Sequence, residues 1–259
     1  MVDQYVSSVT PVGSKVLIER YGFTVSPATI RGDLHALEED CLLRRPHTSA
    51  GRLPTDGGYR RVVDDFLAHP DLLGAGPLYP DESLAGKLGM SVLTSGARGN
   101  SSTFPFPTAY TPSGNLDELL RRTSAALSAY ANCLAIAVAP TPLSARVTRL
   151  CYTGLAELFA QPEFSEPQRY FRLMRVLDDE TELNDLLMDS FCEGEVTVRI
   201  GHEMLDAGLD ALSIVLCPYR TNTDTRRGVV AVVGPTRMDY RRAIPAVTTA
   251  AWTLSEILR

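Results

Sequence analysis

The sequence predicts an α+β protein: an N-terminal winged helix-turn-helix, then a second unit in which helices and strands share one sheet. Three observations predict it. Leu42–Arg61, LLRRPHTSAGRLPTDGGYRR, reads as two short strands around a Ser-Ala-Gly turn, framed by arginines and followed by Pro54 and a Thr-Asp helix start. The stretch before it, PVGSKVLIERYGFTVSPATIRGDLHALEED, reads as helix, turn, helix. Two helices followed by a basic hairpin form a DNA-reading module. From residue 116 onward, amphipathic segments alternate with short apolar runs, the pattern of an α+β sensor-like domain.

Residues 1–69 form the first unit. Val12–Tyr21 places Val16, Leu17 and Tyr21 on an apolar face, with Lys15 and Glu19 outward, and Gly22 ends the helix. Ser26 precedes Pro27, an N-cap followed by proline at the first helical position, where its missing N–H costs nothing. Ile30, Leu34 and Leu37 share one face of the second helix. Leu42 and Leu43 start the first wing strand. Thr55 and Asp56 cap a further helix that reaches about Ala68, with Tyr59, Val62, Val63 and Phe66 on its apolar side.

Residues 70–115 are rich in Pro, Gly, Ser and Thr and poor in charge, so a linker is expected there, with a short helix near Leu84–Met90. Residues 116–259 form the second unit. Leu116–Tyr130 is an amphipathic helix, and Cys133–Ala139 is a buried strand ended by Pro140. Val147–Cys151 is a short strand; Gly154–Phe159 and Glu166–Met188 are helical. Val196–Ile200, Ala211–Cys217 and Gly228–Val233 are strands. Arg241–Leu258 is a closing helix bent or interrupted at Pro245.

The formal charge is −6 over 259 residues, but charge is sorted by region. Between Arg44 and Arg61 five arginines stand against one acid, Asp56, so a positive contact surface is expected there. No apolar run is long enough to span a bilayer, and the N-terminus lacks a signal-peptide pattern, so a cytoplasmic protein with no membrane partner is expected. The five cysteines fall in no metal spacing and are expected to be reduced, buried side chains. No catalytic constellation is found. His202-Glu203 has no second histidine at a metal spacing, Gly234-Pro235-Thr236-Arg237 lacks a phosphate-loop lysine, and Ser213 lacks the nucleophile-elbow context. The expectation is a protein that is not an enzyme and needs no cofactor and no metal. In the Gly234–Arg237 turn, Arg237 is expected to pair with Asp239.

Several segments together resemble the heat-inducible transcription repressor family HrcA. They are Pro11–Lys15, Ser26–Arg31, Pro46–Asp56, Gln161–Phe164, Ile200–Glu203 and Gly234–Tyr240, in the family's order. The resemblance implies a winged-helix DNA-binding domain, a GAF-like second domain and a homodimer on double-stranded DNA. It implies repression at an inverted-repeat operator, CIRCE, upstream of DnaK- and GroE-type chaperone operons. A GroEL-type chaperonin is the implied partner; when heat-damaged proteins occupy it, repression is released. The chain departs from the family in three places. The family's first helix begins a turn or two earlier, which puts an expected start upstream of Met1. Gly32 stands where a polar residue is common in the recognition helix, at a helix-propensity cost of about 1 kcal/mol. The GAF-like domain is normally interrupted between the regions matching Leu150 and Tyr152 by strands and a helical dimerisation insert; here these regions abut, giving a shortened domain.

A recognition helix reads base edges with its N-terminal residues. Thr29 and Arg31 are the candidates for base contact, with Ala28 against a thymine methyl; Arg31 serves alternatively as a phosphate contact or in an ion pair. Ser26 is either a DNA contact or the cap. Ser14 and Lys15 are placed for phosphate contact at a helix start, with a solvated Lys15 as the alternative. At the wing, His47, Thr48 and Arg52 are the candidates. Arg52 is the minor-groove or phosphate probe, or else an ordinary exposed arginine. His47 binds phosphate or packs at a strand end. Arg44 and Arg45 alternate, so one of them faces DNA, and Arg60 and Arg61 add long-range attraction. The competing function is a ligand-responsive winged-helix repressor of other genes.

Overall fold

The computed structural model describes residues 1–47, 50–73, 115–142, 149–164, 167–188, 196–207, 209–221 and 226–258. They fall into two units, Met1–Leu67 and Ala68–Arg259. Most of the expected 70–115 linker, including its short helix, lies outside the described residues; so do Thr48 and Cys192.

The first unit opens with a helix absent from the sequence expectation, α1 (Val2–Ser8), ended by Val9 in the left-handed region. Helix α2 (Ser14–Tyr21) starts two residues later than expected, because Val12 is held in an extended backbone bridge to Arg52. Gly22, at φ 63°, closes it by donating its N–H to the Ile18 carbonyl. Of the expected apolar face only Leu17 is buried; Val16 is 40% and Tyr21 42% exposed. Eight residues give α2 little more than two turns, and Tyr21, at its last position, meets Phe23 instead of the core, ring centroids 6.2 Å apart.

Helix α3 (Pro27–Glu39) buries Ile30 and Leu34, whereas Leu37, the third residue of the expected stripe, is exposed. Strands β1 (Leu43–Arg44) and β2 (Leu53–Pro54) pair antiparallel. Thr55 caps α4 (Asp56–Ala68): its hydroxyl accepts from the Gly58 N–H at 3.1 Å and donates to the Cys41 carbonyl at 2.7 Å. Cys41 sits at φ 58° and is exposed, contrary to the expectation of buried cysteines, since the chain must turn sharply here between α3 and β1. One core cluster joins Val12, Leu17, Ile30, Leu34 and Leu43, with Met1, Tyr5 and Ile18 at its edge, and Leu53, Tyr59, Val63 and Phe66 are buried as well.

The second unit is a five-stranded antiparallel sheet, order β4-β3-β7-β6-β5, with helices on both faces. Its strands are β3 (Leu134–Pro142), β4 (Leu150–Thr153), β5 (Thr197–Ile200), β6 (Leu212–Arg220) and β7 (Arg226–Pro235). Strand β3 does not end at Pro140. A register shift between Val138 and Thr141 takes the proline out of the ladder, and pairing resumes opposite Arg227. Strand β4 crosses the Leu150–Tyr152 junction without interruption.

One face of the sheet packs against helices α5 (Leu116–Ala131) and α9 (Tyr240–Ile257). The other carries Leu134, Ile136, Val138, Ile214, Leu216 and Val233. Against it lie Leu158 of α6 (Leu155–Phe159), Leu173 and Val176 of α7 (Pro167–Asp178), and Leu183 and Leu187 of α8 (Glu180–Met188). The expected single helix over Glu166–Met188 is therefore two. Asp179 breaks it, accepting the N–H groups of Thr181 and Glu182 on its carboxylate, which lowers its pKa. Helix α9 runs through Pro245 without interruption. The proline gives up one helical hydrogen bond, but its neighbours Ala243, Ile244, Ala246 and Val247 are buried and hold the helix to the sheet. No described helix is long and apolar enough to cross a membrane.

Candidate nucleic-acid interface

Of the residues expected to read DNA, Lys15, Ser26, Ala28, Thr29, Arg31 and His47 are exposed in the first unit. Ser26 caps α3: its Oγ accepts the Thr29 N–H at 3.1 Å and lies 2.9 Å from the Thr29 hydroxyl. Both side chains are thus committed to the helix start, as the competing cap reading of Ser26 foresees. Ala28, Thr29, Arg31 and Gly32 are all exposed along the first turns of α3. The Arg31 Nε donates to the Pro27 carbonyl at 3.1 Å, which folds the side chain toward the helix N-terminus. Lys15 is exposed and pairs loosely with Glu19 at 3.8 Å; Ser14, at the first position of α2, is half-buried.

In the hairpin, His47 is exposed and its carbonyl accepts the Ala50 N–H at 3.0 Å, closing the turn. Arg52 is not an exposed probe. Its backbone exchanges two 2.9 Å hydrogen bonds with Val12. Its side chain, 12% exposed, sets Nε 2.9 Å from Glu38 Oε2, an ion pair without a well-aligned hydrogen bond. Arg45 donates Nη2 to the same oxygen at 3.3 Å. Of the alternating pair Arg44 and Arg45, Arg44 is the exposed one. Gly51 is small for an internal reason, since a Cβ there would lie 2.5 Å from the Val12 carbonyl carbon. Arg60 and Arg61 pair along α4 with Asp64 and Asp65 at 3.4 and 3.6 Å.

Sequence reasoning missed Glu38. The window Arg44–Arg61 looks strongly basic because the acids that answer it lie outside it, Glu38 upstream on α3 and Asp64 and Asp65 downstream on α4. Counted over the whole unit Met1–Leu67, eight Lys and Arg face nine Asp and Glu, and that balance is the signal that points to internal pairing. It also missed Arg20, an exposed cation in the last turn of α2.

In the second unit the expected Arg237–Asp239 pair gives way to a longer-range clamp. Arg237 is nearly buried, pairs through Nε and Nη2 with the Glu163 carboxylate, and donates Nη2 to Gln161 Oε1 at 2.7 Å. The clamp joins Gln161–Phe164 to Gly234–Tyr240, two of the motifs that carry the family resemblance. Nearby, burial pushes the Cys133 thiol up to about 12, against the opposing pull of Arg237. Ser213 is fully buried and accepts the Tyr240 hydroxyl at 2.8 Å, so it faces no solvent. Glu203 is a local cap, its carboxylate accepting the Ile200 N–H at 2.9 Å. Among the described residues no group of three His, Cys, Asp or Glu side chains stands ready for a metal. A cleft lined by Asn132, Ala156, Glu157, Ala160 and Gln161 is open and brings a single carboxylate.

The family model described as "HrcA protein C terminal domain" matches residues 143–244. The chain is 30% identical to the heat-inducible transcription repressor HrcA of Kineococcus radiotolerans, covering 100% of this chain and 96% of that protein. It is 32% identical to the repressor of the same description from Synechococcus elongatus, over 99% and 95% of the two chains. A crystal structure described as that of a hypothetical protein superposes with a TM-score of 0.74 at 17% identity, covering 99% of this chain and 95% of that one, and shows the same overall fold. These relatives are transcription repressors, a class whose work implies DNA binding. The chain belongs to the HrcA family of heat-inducible transcription repressors. Its alignment to the Kineococcus protein runs over 339 positions, 80 more than the 259 residues present here, so this chain is a shortened member.

Proposed function

We propose that this repressor acts on DnaK- and GroE-type chaperone operons, binding a CIRCE-type inverted repeat as a homodimer and releasing it on heat stress. The observation that carries the reading is the capped, exposed start of α3. Ser26 fixes the helix N-terminus, and Ala28, Thr29, Arg31 and Gly32 stand open in front of it, behind the Gly22 turn from α2. A helix presented in this way, with a hairpin beside it, supports the winged helix-turn-helix reading.

Arg31, with Nη groups left to offer, is the base-reading side chain, and Ala28 meets a thymine methyl. Thr29 and Ser26 act through the helix cap, while the amides at the starts of α2 and α3 meet phosphate with Ser14 and Lys15. His47 and Thr48 approach from the wing, and Arg44 adds a phosphate contact. Arg52 serves to hold the wing. The five-stranded antiparallel sheet with helices on both faces supports a GAF-like reading of the second unit. Family membership supports a GroEL-type chaperonin as partner and release by heat, and marginal stability of a small DNA-binding unit suits thermal release.

A gel-shift titration tests the reading. Operator DNA is expected to bind tightly and in a salt-sensitive way, with a scrambled duplex at least about 1,000-fold weaker. Equal binding of the two overturns it. Arg31→Ala is expected to erode discrimination by about 1–3 kcal/mol, whereas Lys15→Ala weakens both complexes alike.

A further inference from the structure

We infer that Glu38 is a specificity-determining residue of the DNA-binding unit, an internal rival of the phosphate backbone that keeps Arg45 and Arg52 off non-operator DNA. The inference rests on the DNA-binding reading above.

The geometry has three parts. One carboxylate oxygen, Glu38 Oε2, serves two guanidinium groups from opposite sides of the hairpin, Arg45 at 3.3 Å before the turn and Arg52 at 2.9 Å after it. The three side chains are largely withdrawn from solvent, at 27%, 31% and 12% exposure for Glu38, Arg45 and Arg52. Glu38 also sits in the last turn of α3, where the helix dipole disfavours an acid, and that turn holds no basic residue. Its place is explained by the arginines it gathers.

A carboxylate and a phosphate compete for guanidinium on the same terms, through charge-assisted hydrogen bonds to paired oxygens. Phosphate contacts carry no sequence information, and each one engaged adds affinity for any duplex together with about 0.9 to the slope of log K against log salt. Two of the eight cations of Met1–Leu67 are therefore removed from sequence-independent binding while the face of α3 that reads bases is untouched. The ratio between operator and non-operator affinity rises accordingly. The imperfect alignment at Arg52 and the shared oxygen make the hold exchangeable.

The test measures Kd for operator and for scrambled duplex from about 50 to about 200 mM salt, on the full chain and two variants. For Glu38→Gln, scrambled-duplex affinity is expected to rise about tenfold at the low-salt end, with a slope steeper by about 1–2 and a correspondingly lower specificity ratio. Adding Arg45→Gln and Arg52→Gln to that variant is expected to reverse the gain. In the Glu38-containing protein the same double arginine change is expected to leave scrambled-duplex affinity within about twofold, because the two charges are already spoken for. A Glu38→Gln protein that loses affinity for both duplexes by one factor at unchanged slope overturns the inference in favour of a purely structural tie. If Glu38→Gln fails to fold, the double arginine variant decides. A drop in its salt slope of about 2 would mean that both arginines already lie on phosphate, and the inference falls. A wild-type chain that binds neither duplex overturns the repressor reading itself, an outcome distinct from either.

Discussion

The two units of this chain differ in how much polar chemistry they bury. Ala68–Arg259 turns several polar groups inward, although Arg149 with Asp117 and Glu118 with Arg121 and Arg122 pair at the surface. Arg237 is held between the partly exposed Glu163 and Gln161, while the Tyr219 hydroxyl donates to the Val138 carbonyl at 2.6 Å and Tyr240 reaches Ser213 in the interior. In Met1–Leu67 one cluster of five buried apolar residues is joined by buried Leu53, Tyr59, Val63 and Phe66, charges pair at the surface or half-way into it, and Val16, Tyr21, Phe23 and Val25 stay exposed. The second unit is built to persist. The first leaves large apolar side chains exposed and depends on caps, a backbone bridge and one shared carboxylate to hold its shape.

The difference predicts two unfolding transitions, and substitutions sort between them. The largest effect belongs to Ile136→Ala, a fully buried residue in β3, which is paired on both sides, expected to lower the upper transition by about 2–5 kcal/mol in denaturant titrations and to leave the lower one in place. Leu34→Ala is expected to do the reverse, at the low end of that range, because fewer layers cover it.

Alkali comes next. Cys133 is raised to about 12 from 9.0 by burial, and Tyr219 is raised as well. Both groups stay protonated in the folded unit, so their contribution is complete below about pH 9 and is lost as pH rises toward 12. The upper transition is expected to fall across that window by at most about 4 kcal/mol for Cys133, and Cys133→Ala to flatten the fall. An unchanged profile in that variant would remove the thiol from the account.

Arg237→Met is expected to cost about 2–3 kcal/mol in the upper transition, below the cost of a fully buried pair because Glu163 is partly exposed. The smallest expected effect is Ser26→Ala, about 1 kcal/mol in the lower transition, read by the thermal midpoint of the first unit. If all five changes moved a single transition together, the contrast between the units would collapse.

Local chemistry made much of this legible in sequence. Ser26-Pro27 marks a helix start, Gly22 an end and Thr55-Asp56 another start, because caps are decided by residues a few positions apart. The apolar strands of the second unit were equally plain from their runs of Val, Ile, Leu and Ala. What stayed hidden depends on distant partners. Arg52 looks like a free wing arginine until Glu38 is brought beside it, and Arg237 looks destined for Asp239 until a clamp across 74 positions of sequence takes it. Periodicity also overstated burial on α2 and α3, since Val16, Tyr21 and Leu37 fit an apolar stripe but the small unit has no second layer to cover them. Proline at 140 and at 245 was overweighted, because a bulge in one case and a buried helix face in the other absorb it.

Gly51 carries a consequence for anyone mapping this protein by mutation. Even an alanine there would bring its methyl carbon 2.5 Å from the Val12 carbonyl carbon and 2.7 Å from that of Pro11, so the hairpin would have to lift away from the helices. In a saturation screen for repression, position 51 would be as intolerant as a base-reading residue while touching no base. A map drawn from loss of function alone would therefore extend the DNA footprint onto a residue whose nearest atoms belong to the protein's own backbone.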